Sequence, residues 1–123
     1  MAYDLMNLTA SYPDYEIWAT GHSLGGSLAS LAASIVLGSG LATPQQTKLI
    51  TFGQPRTGND EFSEQQDSES DFIFRVTHWR DVVPHIPNLG YHHHRNEAFY
   101  EREMAPTKFK VCDGELTSKQ LVK

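Results

Sequence analysis

Cysteine is nearly absent from this chain: Cys112 stands alone, so no disulfide can close within it and cysteine pairing says nothing about the redox compartment. Long apolar runs are missing as well. No stretch reaches the roughly 18 apolar residues that a membrane-spanning helix needs. Residues 1–15, broken by Asp4, Asn7 and Asp14, lack the apolar centre of a signal peptide. Positive charge is scarce, with 10 Lys and Arg against 15 Asp and Glu, a net charge of -5 and a pI near 5.6. That balance offers no footprint for phosphate backbones or anionic headgroups, which argues against nucleic acid as a partner. Internal repeats and low-complexity tracts are also lacking. What is present, 123 residues at 39% hydrophobic, has the size and make-up of one globular domain with little core to spare.

Leu5 and Leu8 suggest the end of a helix, stopped by Tyr12-Pro13-Asp14 because proline disfavours helix at the residue before it. Residues 15–20 form a short β-branched and aromatic run between Pro and Gly, which predicts a buried strand. Residues 25–37 predict a helix with Leu28, Leu31, Ala32, Ile35 and Val36 on one face, ended by Gly38-Ser39-Gly40. Residues 48–52 and 72–77 read as two further strands, separated by an acidic stretch at 58–70 that reads as a short surface helix and solvated loop. The aromatics Trp18, Phe52, Phe72 and Phe74 read as core. Apolar strands separated by helical patterns predict a mostly parallel sheet with flanking helices, hence the α/β class. Beyond Asp81, Pro84, Pro87, Asn88 and Gly90 mark a loop, residues 97–100 and 108–111 read as edge strands, and 113–123 reads as a polar tail behind a domain of residues 1–112.

Gly21-His22-Ser23-Leu24-Gly25 fits a nucleophile elbow, in the strand-then-helix context that such a turn requires. Both glycines are expected to let the strand and helix backbones approach while the serine takes a strained conformation. The helix that follows presents free N–H groups where negative charge develops, so Leu24 N–H is the expected first oxyanion donor. A serine needs a general base, and the base an orienting carboxylate. Asp81 lies just past the third strand, at the same sheet edge as Ser23 if the strands are parallel, with Asp71 as the weaker rival. His93 follows, giving the chain order Ser, Asp, His of α/β-hydrolases.

These residues resemble the fungal-type class 3 lipases, members of the α/β-hydrolase fold. Four segments carry the likeness: residues 17–26, residues 51–58 (Thr-Phe-Gly-Gln-Pro-Arg-Thr-Gly), residues 75–87 with Asp81-Val82-Val83-Pro84-His85-Ile86-Pro87, and Gly90-Tyr91-His92-His93-His94 with Glu97. The resemblance implies Ser23 as nucleophile, Asp81 as triad acid and His93, four residues before Glu97, as the base. It implies acylglycerols and related carboxylic esters as substrates, with no cofactor. The family's N-terminal half, with its early strands, lid helix and second oxyanion donor, lies outside this sequence. The expectation is therefore a partial α/β-hydrolase domain, feeble alone, with an unpaired strand edge beside the elbow. Contact with a lipid interface is expected only through the absent parts. Full-length relatives are often secreted, and neither compartment nor oligomeric state is legible here.

Two further readings stand beside this one. A catalytically silent fragment or pseudoenzyme is motivated by the absent half. A histidine-based metal module is motivated by His92 and His94, which share one face of an extended segment, with His78 and His85 near in sequence. Asp81 as a simple turn cap is the plain alternative to its triad role.

Overall fold

The computed structural model describes residues 2–113. The chain runs through α1 (Ala2–Ser11), β1 (Ile17–His22), α2 (Leu24–Gly38), β2 (Thr47–Phe52), α3 (Asp60–Glu69), β3 (Phe72–His78), β4 (Asn96–Tyr100) and β5 (Phe109–Asp113). The strands make one sheet in chain order, β1-β2-β3-β4-β5. β1 to β4 are parallel and β5 is antiparallel, so the predicted mostly parallel α/β arrangement is the one observed. β4 lies between β3 and β5 and is therefore an interior strand, correcting the expectation of an edge. β5 extends to Asp113, and the remainder of the expected tail lies outside the described residues.

α2 forms because Ala and Leu dominate its sequence, and it ends where Gly40 takes φ +68, with the Ser39 and Gly40 N–H groups bonded to Ile35 and Leu37 carbonyls. It packs against β1 and β2. The packed face is not the predicted Leu/Ile stripe. Gly26, Ser27, Ala29, Ser30, Ala33 and Val36 are buried, while Leu28, Leu31 and Ile35 are 61%, 42% and 68% exposed. Small side chains win this position because the helix backbone lies very close to the sheet: a Cβ on Gly26 would sit 3.2 Å from Gly21 O and 3.3 Å from Thr51 Cβ. Ala29 and Ala33 then meet Leu49 and Ile73, with Ala19 beside them, to form the apolar core. α3 is joined to α2 by a buried amide: Gln66 accepts from Ser30 Oγ at 2.7 Å and donates to Ser30 O at 2.9 Å.

The opposite sheet face carries an aromatic row. Trp18, Phe72 and Phe74 meet edge to face, with centroids 5.8 and 5.3 Å apart. These aromatics are not sealed as predicted: Trp18 and Phe52 are exposed, and no helix among the described residues packs broadly on that side. β1, the outer strand, is half-exposed along its length rather than buried, for the same reason.

Candidate active site

β1 delivers Ser23 to the carboxyl edge of the sheet, and α2 begins at the next residue. Ser23 has φ 54 and ψ -128, a conformation that costs a non-glycine residue about 1–3 kcal/mol and is retained only where its surroundings enforce it. Enforcement is visible. Ser23 N–H donates to Phe52 O at 2.9 Å, and Ser23 O accepts Gly26 N–H at 2.9 Å. Gly21 is required, because a Cβ there would fall 2.2 Å from Gly25 O. Gly25 is not required in the same way, since a Cβ at its own position meets nothing within 4 Å. The second glycine that the close approach demands is Gly26, which the motif reading passed over. Leu24 opens α2, so its N–H has no partner four residues back inside the helix and points outward from its N-terminus.

Asp81 reaches the same edge from the loop after β3. Trp79, at φ 38, turns the chain there: its N–H donates to Tyr100 O at 2.7 Å and Asp81 N–H donates to His78 O at 2.9 Å. The Arg80 and Arg102 guanidinium groups flank the Trp79 ring, at 4.9 and 5.4 Å from its centroid. Nothing in the sequence marks a tryptophan for positive φ, and this residue was missed. The carboxylate accepts Val83 N–H through Oδ1 at 3.0 Å, while Oδ2 lies against Gly53 at the end of β2. His22 Nε2 lines the same spot. Asp71 stands at the opposite, amino end of β3, where it accepts from Gln45 Nε2 at 2.6 Å.

His93 shares no hydrogen bond with Ser23 or Asp81 among the described residues. Neither the Ser23 hydroxyl nor the Asp81 carboxylate hydrogen-bonds an imidazole among the described residues. His93 is 7% exposed, and its Nε2 lies 2.7 Å from Pro84 O. A carbonyl only accepts, so Nε2 carries the proton and donates it there. Nδ1 is enclosed with no hydrogen-bond partner among the described residues. Burial, with the Arg75 guanidinium next, pushes the imidazole down to about 3, against the pull of the Pro84 bond.

Beneath it lies a sealed polar group that the sequence did not announce. Arg75 and Glu97 are both fully buried, 3.7 Å apart; Thr77 Oγ1 donates to Glu97 Oε1 at 2.6 Å and Arg75 Nε donates to His94 O at 3.0 Å. His94 is buried among them, and desolvation together with Arg75 holds its imidazole well below its ordinary range. His92 turns instead toward Asp60, 3.6 Å away. Among the described residues no three His, Cys, Asp or Glu side chains gather as metal ligands, so the His92 and His94 reading finds no support in the geometry.

A serine elbow at the carboxyl edge of a mostly parallel sheet, with a carboxylate on the loop after a later strand, defines the α/β-hydrolase class. The solved lipase of Rhizopus microsporus var. chinensis matches this structure with a TM-score of 0.86 at 33% identity, over 97% of this chain and 42% of that one. Residues 1–91 match the family described as Lipase (class 3), and the chain belongs to that family. A Caenorhabditis elegans lipase is 37% identical over 85% of this chain and 37% of its own length. A triacylglycerol lipase whose catalytic centre is described as a serine protease triad matches with a TM-score of 0.82 at 29% identity, over 96% of this chain and 46% of that one. The chain thus spans less than half of each of these relatives.

Proposed function

We propose that this chain supplies the nucleophile and the orienting acid of a serine ester hydrolase acting on acylglycerols and related carboxylic esters. The observation that carries the reading is Ser23, a non-glycine residue held at φ 54 between β1 and α2, with the Asp81 carboxylate seated at the same sheet edge. The triad named for the related triacylglycerol lipase supports it.

In this reading Ser23 Oγ attacks the ester carbonyl as an imidazole takes its proton. The resulting oxyanion is held by Leu24 N–H and by a donor from outside this chain. The imidazolium protonates the leaving alcohol, and water, activated by the same imidazole, then releases the acid from the acyl-enzyme. Asp81 holds the far side of the ring.

The base is not His93 in this reading. A general base works best with a pKa near the operating pH, and a ring held near 3 with its Nε2 proton committed to Pro84 O has neither the basicity nor the free lone pair on that atom. We assign the base to an imidazole other than His93, in keeping with the serine protease triad named for the related triacylglycerol lipase. His93 keeps the Val83–Pro84 turn against β4.

A fluorophosphonate probe and a soluble short-chain ester test the proposal on the intact protein. Ser23→Ala is expected to abolish labelling, and Asp81→Asn to lower turnover by about 10⁴-fold. A folded protein that neither labels nor hydrolyses supports the silent reading instead.

A further inference from the structure

We infer that Gly53 is a positioning residue for the reaction, its missing side chain being the space in which the Asp81 carboxylate is seated. The inference rests on the reading of Asp81 as the orienting acid and adds to it a residue outside the elbow. Gly53 follows β2 directly and has φ +55. A Cβ there would lie 2.9 Å from Asp81 Oδ2 and 3.6 Å from His22 Nε2, so any side chain presses on the carboxylate first.

The Gly53 backbone is poorly placed to yield. Its N–H donates to Val76 O at 2.9 Å, and the preceding carbonyl, Phe52 O, accepts the Ser23 N–H that holds the elbow. The carboxylate gives way more easily, because among the described residues one hydrogen bond, from Val83 N–H to Oδ1 at 3.0 Å, holds it. Gly53 therefore couples two parts of the site. Its own peptide is tied to β3, its neighbour's carbonyl sets Ser23, and its bare α-carbon fixes how near Asp81 stands to that serine.

The experiment is a double-mutant cycle in the intact protein with a soluble ester. Gly53→Ala is expected to lower kcat by about 10- to 100-fold, the range that a displacement of about 1 Å produces, with KM little changed. The acid limb of the kcat/KM profile should move to lower pH, since an imidazole that loses its nearby carboxylate becomes a weaker base. In an Asp81→Asn background the same Gly53 change should add less than about threefold, because groups acting as a unit are not additive. Gly53→Asn tolerates the left-handed backbone better than alanine yet keeps a Cβ. It should therefore lose activity as Gly53→Ala does, and it serves where the alanine variant melts too low to assay.

Three results overturn the inference. Equal losses from Gly53→Ala in both backgrounds would make the residue merely structural. Near wild-type turnover in Gly53→Asn would reduce the effect to backbone strain. Full activity of Asp81→Asn would remove the reading of Asp81 itself, a failure distinct from the other two.

Discussion

The carboxyl ends of β1 and β2 and the interior beneath β3 and β4 both gather polar side chains, yet the two regions treat them in opposite ways. Around Ser23 the backbone is strained, the serine is only half-buried, and Asp81 keeps one oxygen against a bare glycine. Around Arg75 and Glu97 everything is sealed: Arg75 Nε donates to His94 O and Thr77 Oγ1 to Glu97 Oε1, while the His94 ring nitrogens and Glu97 Oε2 have no hydrogen-bond partner among the described residues. Charge buried and paired is a structural commitment, whereas charge held at an edge with a lone pair to spare is available for chemistry. His93, beside the sealed group, is buried and bonded to Pro84 O.

Substitutions that separate the two regions sharpen this contrast. The largest effect is expected at the edge: Ser23→Ala should cut ester turnover by about 10⁶-fold, as loss of a nucleophile does, while the melting temperature stays within about 2 °C of wild type. A parallel fall in stability would mean that the strained elbow is held by the hydroxyl.

The interior should answer in the opposite currency. Glu97→Ala removes the carboxylate facing the Arg75 guanidinium in a fully buried site, and urea titration should show a loss of about 3–5 kcal/mol. Below the melting point the residual turnover per folded molecule should be near wild type. A loss under 1 kcal/mol would place water or other groups within reach of Arg75.

Within the elbow, the two motif glycines should part company. Gly21→Ala drives a Cβ onto Gly25 O, so the cost should reach the upper end of the 1–3 kcal/mol typical of overpacking, or exceed it. Gly25→Ala meets nothing and should gain up to about 1 kcal/mol from helix propensity. Equal penalties from denaturant midpoints would contradict this account of the turn.

A pH slope separates the two regions without removing any contact. His93 is held to about 3 in the fold against 6.5 when free, so only the unfolded chain takes up its proton between those values. Stability therefore falls as pH drops through 6.5 and keeps falling toward 3. His93→Gln, whose amide can still donate to Pro84 O, should flatten the slope of urea midpoint against pH in that window. The slope that remains belongs partly to His94, depressed in the same direction.

Local chemistry made most of the fold legible in the sequence. Pro and Gly punctuation placed each predicted strand within two residues of its observed ends, and the Gly-x-Ser-x-Gly string in its strand and helix context located the elbow. What escaped prediction depended on distance in space. The packed face of α2 could not be seen because hydrophobicity favours Leu28, Leu31 and Ile35, while the close approach of the sheet at Gly21 and Thr51 selects small residues. The Arg75–Glu97 pair bridges neighbouring strands far apart in sequence, and nothing local distinguishes it from surface charge. The role expected of His93 rests on its order after Asp81, and order carries no information about which way a ring faces.

The central claim, that the edge is reactive and the histidine beneath it structural, meets its most direct test in fluorophosphonate labelling of the folded His93→Gln variant of the intact protein. The account predicts labelling of Ser23 at close to the wild-type rate, with Asp81→Asn slowed severely alongside it. Loss of labelling in a His93→Gln variant that melts like wild type would restore His93 as the base and contradict the account.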